Sequence, residues 1–212
     1  MRTLLLFFFL LASTVTVLAQ LGGKATYQFL NLMSSPRQAA LGGKIITNVD
    51  YDVTQALYNP ATINVEMDNQ LALNYASHLG DISYGTAAYA YTVDRRTQTF
   101  HAGVTFVNYG NFEGYDENGN STGAFTGNET AISFGYAFQL GFSDFYAGAN
   151  IKLISSKLEQ YSSLGGALDL GLIYIDEYLD FNAALVVRNI GTQFTTYAGL
   201  NEPLPLEIDT VS

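Results

Sequence analysis

The sequence predicts an all-β chain: a transmembrane antiparallel β-barrel, incomplete in this chain, behind a short helical N-terminal segment. Three observations predict it. Segments of about ten residues alternate apolar with small or polar side chains, charge is sparse, and the connections alternate between tight and longer.

The alternation is clearest in "TAISFGYAFQL", where Ile132, Phe134, Tyr136, Phe138 and Leu140 share one face and Ala131, Ser133, Gly135, Ala137 and Gln139 the other. In "FHAGVTF", Phe100, Ala102, Val104 and Phe106 oppose His101, Gly103 and Thr105. "FYAGANIKL" sets Phe145, Ala147, Ala149, Ile151 and Leu153 against Tyr146, Gly148, Asn150 and Lys152, and "GALDLGLIY" repeats the pattern. Successive side chains on a strand point to opposite faces, so each segment carries one apolar and one small or polar face. The spacing predicts strands over 70–76, 81–93, 98–109, 129–140, 145–155, 164–175 and 181–190. Strands that cross hydrocarbon at a tilt need about ten residues. Soluble strands are usually nearer five or six.

The links "DRRT", "GFSD" and "DEYLD" are tight, whereas 110–128 and 155–163 read as longer loops and "SHLG" as a short one. Outer-membrane barrels alternate in this way, with short periplasmic turns and longer external loops. A soluble β-sandwich is the competing arrangement for alternating strands. It calls for charged outer faces, and here the second faces are mostly small. Seven strands leave an open sheet, and "EPLPLEIDTVS" reads as the start of an eighth. The chain therefore reads as the N-terminal part of a longer barrel.

Composition supports the same class. Charged residues make up 13%, while Tyr and Phe number 15 and 14. Net charge is −10 with nine Lys and Arg, which excludes nucleic acid as a partner because phosphate binding needs clustered cations. Cysteine is absent, so disulfides, thiolate metal sites and a Cys nucleophile are excluded. Arg2, the apolar run behind it and Val17-Leu18-Ala19 read as a signal peptide over 1–19. Residues 20–64 read as a hatch or plug and 65–212 as the partial barrel. In the plug, Ser35 fits an N-cap, Pro36 the first helical position, and Gly42 and Gly43 a left-handed C-cap. A second short helix is expected over 51–57, with Pro60 turning Asn59 away from α geometry.

"RQAALGG" followed by "DVTQALYNPATI" resembles the N-terminal hatch of the FadL-like outer-membrane family, and "VVRNIG" with "PLPLEI" resembles its later strands. "YQFLNLMSSPRQAALGG" is similar to the start of the FadL-like component of the Bacteroidetes type IX secretion system. The resemblance implies a fourteen-stranded bacterial outer-membrane barrel, in contact with outer-membrane lipid, that anchors a surface-attachment complex. Its implied partners are PorZ, the sortase PorU and the carrier PorV. The alternative within the family is a channel for hydrophobic small molecules.

No catalytic constellation is found, and no cofactor or metal is expected. His78 and His101 have no Cys or spaced carboxylates beside them, and no Gly-x-Ser-x-Gly elbow occurs. "GYDENGNSTG" lacks the bidentate Glu of a calcium loop and reads as a solvated turn. Asn128-Glu129-Thr130 is a formal glycosylation sequon without meaning in a bacterial setting. Asp169, Lys152 and Arg188 fall on lumen faces of neighbouring strands, either as ordinary lumen polarity anchoring the plug or as a salt-bridged latch on it.

Overall fold

In the computed structural model, residues 26–195 are described, apart from Ser34, 95–97, 142–143, Gln160 and Glu177. The signal peptide and the expected eighth strand lie outside the described residues, as does most of "DRRT".

Seven strands form one antiparallel sheet in sequence order: β1 (Leu71–Ser77), β2 (Ser83–Asp94), β3 (Gln98–Tyr115), β4 (Ser121–Gln139), β5 (Phe145–Leu158), β6 (Tyr161–Asp176) and β7 (Phe181–Thr195). All seven expected strands are present. The sheet is an open meander, not a closed barrel, and no second sheet stacks on it among the described residues. The sandwich arrangement is therefore not adopted.

Two expected loops are corrected. Residues 110–128 are mostly strand: β3 and β4 stay paired from Asn111↔Thr126 to Tyr115↔Ser121, leaving a turn over 116–120. Residues 155–163 are likewise mostly strand, because Lys157 pairs with Ser162 and Leu158 with Tyr161. The Gly and Asn content that reads as a loop instead supplies bulges. Gly110 takes φ +75 where the register shifts between Asn108 and Asn111, and the ladder then resumes.

Before β1, residues 26–67 lie against one face of the sheet in short turns: 3-10 segments Gln28–Asn31, Val53–Leu57, Pro60–Thr62 and Val65–Met67, and helix α1 (Pro36–Ala40). The Ser35 Oγ accepts the Gln38 N–H at 3.2 Å, and Gly42 and Gly43 adopt positive φ, as expected. The second helix is a 3-10 turn, capped by the Asp52 carboxylate at 3.0 Å. Much of the buried core lies between these turns and the sheet, including Phe29, Val53, Leu57, Tyr58, Ile63 and Met67.

Candidate functional site: a plug on the polar face

The two faces of the sheet have opposite chemistry. The face away from residues 26–67 carries Phe100, Ile132, Phe134, Ile151, Leu153, Leu170, Leu185 and Val187, all exposed. Fully burying one such side chain is worth about 1.5–3 kcal/mol relative to water. Monomeric soluble proteins rarely expose a contiguous patch of this kind.

This apolar band has two ordered boundaries. Toward the C-terminal ends of β2, β4 and β6 stand Tyr91, Phe100, Tyr136, Phe138, Phe145, Tyr174 and Phe181. Phe100 and Tyr136 lie 5.0 Å apart by ring centroids, and Phe145 and Tyr174 4.9 Å. At the opposite end the register lines up Ser83, Asn108, Asn128, Lys157 and Ser162 as direct cross-strand neighbours. From Phe100 to Asn108 is about 26 Å along a strand. Outer-membrane barrels present an apolar band of about 25 Å edged by aromatic girdles.

The other face carries Thr99, His101, Ser133, Asn150, Lys152, Ser156, Ser163 and Asp169, all buried. Residues 26–67 cover it and are bound together first by their own amides. The Gln38 Oε1 accepts the Ile45 N–H at 3.3 Å, and its Nε2 donates to the Gln55 Oε1. The Gln55 Nε2 in turn donates to the Ile45 carbonyl at 2.5 Å, closing a ring of three residues. The Asn59 Nδ2 donates to the Ile46 carbonyl at 2.7 Å, while its Oδ1 accepts the Ala61 N–H at 2.9 Å. Arg37 pairs with Asp50 and lies 5.6 Å from the centre of the Tyr51 ring. "RQAALGG" and "QALYNPA" therefore meet through Gln38 and Gln55, while Asn59 ties the second stretch to Ile46.

The plug seats on glycines and is tied by side chains from the sheet. Gly148 and Gly171 are cross-strand partners beneath Asn59, Pro60 and Ala61, and a Cβ at Gly148 would collide with the Pro60 carbonyl. The Asn150 Nδ2 donates to the Ala56 carbonyl at 2.7 Å, and the Tyr27 hydroxyl bonds the Ser163 hydroxyl at 2.7 Å.

Lys152, Asp169 and Arg188 come together as the sequence suggests, with divided roles. The Lys152 Nζ lies 2.5 Å from the Asp169 carboxylate, an ion pair within the sheet. A register shift between Leu168 and Leu170 sets Arg188 and Asn189 opposite Asp169, and the Asn189 N–H donates to that carboxylate at 2.8 Å. Arg188 reaches the plug: it donates to the Leu30 carbonyl at 3.3 Å and stacks 4.7 Å from the centre of the Tyr58 ring. The latch is therefore one arginine, and the ion pair stands behind it. Nearby, the Lys44 ammonium is pushed below its ordinary range, chiefly by burial and then by the Arg188 charge.

His101 is buried on the covered face, and neither ring nitrogen makes a hydrogen bond among the described residues. His78 stands just before the short 3-10 turn between β1 and β2, beside Tyr84, with ring centroids 6.2 Å apart. The Asp116 carboxylate accepts the backbone N–H groups of Asn118 and Asn120 and the Asn120 side-chain amide at 2.7–2.9 Å, so it is engaged in closing its own turn. No cluster of three or more His, Asp or Glu side chains able to hold a metal occurs among the described residues. No helix among them is long and apolar enough to cross a membrane.

Comparison with known proteins adds nothing to this geometry. No family model, curated protein or solved structure matches the chain.

Proposed function

We propose that this chain acts as a non-enzymatic outer-membrane β-barrel protein of the FadL-like kind, anchoring partner proteins at the bacterial surface. The apolar band supports this reading: large side chains stand exposed between an aromatic row and a polar row, while the opposite face is plugged. A bilayer form must pair the backbone edges of β1 and β7, because lipid offers no hydrogen bonds to an open edge. The start "YQFLNLMSSPRQAALGG" supports a PorQ-like role in type IX secretion, with PorZ, PorU and PorV as partners.

The β3–β4 hairpin supports an anchoring role. It runs about 20 Å beyond the Asn108–Asn128 row. Neither neighbouring strand follows it there: β2 ends opposite Asn108 and β5 opposite Gly127. The arm carries Glu113, Asp116 and Glu117 with no Lys or Arg, and Phe112 stacks on Phe125 at 5.4 Å. A free backbone edge beside exposed aromatics suits a protein partner.

A channel for hydrophobic molecules is the second reading. A cavity of about 220 Å³ beside α1, lined by Met33, Pro36, Ala39, Ala76 and Tyr84, favours it. Against it, the cavity beneath Leu57 and Tyr58 holds only about 20 Å³, and the larger one of about 300 Å³ beneath Tyr27 and Leu30 is lined largely by polar groups, among them Gln28, Asn31, Asn189, Thr192 and Gln193. Deleting the gene in its host separates the two. The anchoring reading expects secreted cargo to leave the surface and collect in the medium. Normal cargo attachment with lost uptake of a long-chain fatty acid overturns it in favour of the channel.

A further inference from the structure

We propose that the plug closes over a binding site for one small monovalent anion, of chloride size, held between Lys152 and Arg188. This inference stands on the buried cluster and is independent of the anchoring role.

Three observations carry it. The cavity of about 20 Å³ beneath the plug is lined by both cationic side chains, by Thr105 and Ser133 from the sheet, and by Leu57 and Tyr58 from the plug. A water needs roughly 10–15 Å³ by the same measure, so the space takes one small occupant and excludes phosphate or a fatty acid. The Arg188 Nε is buried and makes no hydrogen bond among the described residues, although its Nη2 and its guanidinium plane are both engaged.

Charge selects the occupant. Two cations meet here, and among the described residues Asp169 is the single carboxylate paired with either of them. The remaining Lys152 contact is the neutral Asn189 amide at 2.9 Å. A buried charge without a counter-charge is costly, and a neutral water leaves the excess in place. An anion removes it and accepts the free Nε–H. Because Leu30, Leu57 and Tyr58 form the roof, the occupied site holds the plug down.

The test is thermal unfolding of the full chain in detergent micelles, in sodium chloride against sodium gluconate at equal ionic strength, since gluconate is too large to enter. Chloride raises the midpoint saturably, by roughly 5–10 °C at about a hundredfold excess over its dissociation constant. R188Q removes the excess charge and abolishes the response. T105I fills the cavity without changing charge and does the same, which keeps the test decisive if R188Q folds poorly. Crystals soaked in bromide carry an anomalous peak between Lys152 and Arg188. Equal midpoints in the two salts, a chloride response retained in both variants, or a cavity holding only water overturns the proposal.

Discussion

On β4, Ile132, Phe134 and Phe138 stand exposed while Ser133, Gly135 and Ala137, one residue along in each case, are buried. On β5, exposed Ile151 and Leu153 flank buried Lys152. A protein folding in water puts its large apolar groups inside. Here the hydrophobic effect does not explain which face is covered; packing and hydrogen bonding to the plug do. The comparison teaches that the two faces answer to different surroundings: residues 26–67 cover one, and the proposed bilayer would meet the other.

The difference can be broken most strongly at its charged centre. Lys152→Met leaves Asp169 buried without its partner and costs about 3–5 kcal/mol. Lys157→Met, five residues on and facing out, changes stability by less than about 0.5 kcal/mol. Urea unfolding in micelles checks both, and equal effects would erase the distinction between the faces. Ile151→Arg places a cation in the apolar band and costs about 2–4 kcal/mol of membrane stability, whereas Asn128→Arg in the polar row costs about 0–1. Refolding into liposomes under urea measures that pair.

Gly148→Val pushes a side chain into the Pro60 carbonyl and costs about 1–3 kcal/mol by overpacking. Limited proteolysis should then cut within 37–61, while Ala147→Val on the opposite face leaves that segment protected. The smallest effect sits in the arm. Hydrogen bonds from Asn120 and from the 118–120 backbone hold the Asp116 carboxyl below its ordinary value. A depressed folded value means the turn's added stability is present above the ordinary carboxylate range, near pH 3.8, and is lost as pH falls through the lowered value. Amide exchange at Gly119 and Asn120 should accelerate only in that acidic window, and Asp116→Ala should remove the pH dependence.

The strands were legible because period two is a local property. Ile132 through Leu140 alternates without interruption, and the structure keeps that parity. The Ser35 cap and the paired glycines at 42 and 43 were legible for the same reason. The roles of Gln38 and Gln55 were not, since their bond spans seventeen positions and depends on how two turns dock. The seat at Gly148 and Gly171 was hidden because the register joining them is set by the β5–β6 hairpin, although two small residues on the polar face were a usable signal. Composition misleads at the arm, because Gly110, Gly114 and Gly123 suit a bulged ladder as readily as a loop.

Lipid contact along the strands tests the central claim most directly. The chain has no cysteine, so single spin labels can be placed one at a time on β5 and β6 in liposomes. Sites 151, 153, 170 and 172 should collide with oxygen dissolved in the bilayer and be shielded from a water-soluble nickel complex. Sites 150, 152 and 169 should be shielded from both, and 157 and 162 should meet the nickel complex. Equal access of the nickel complex to 151, 153 and 170 would place the apolar face in water and contradict the account.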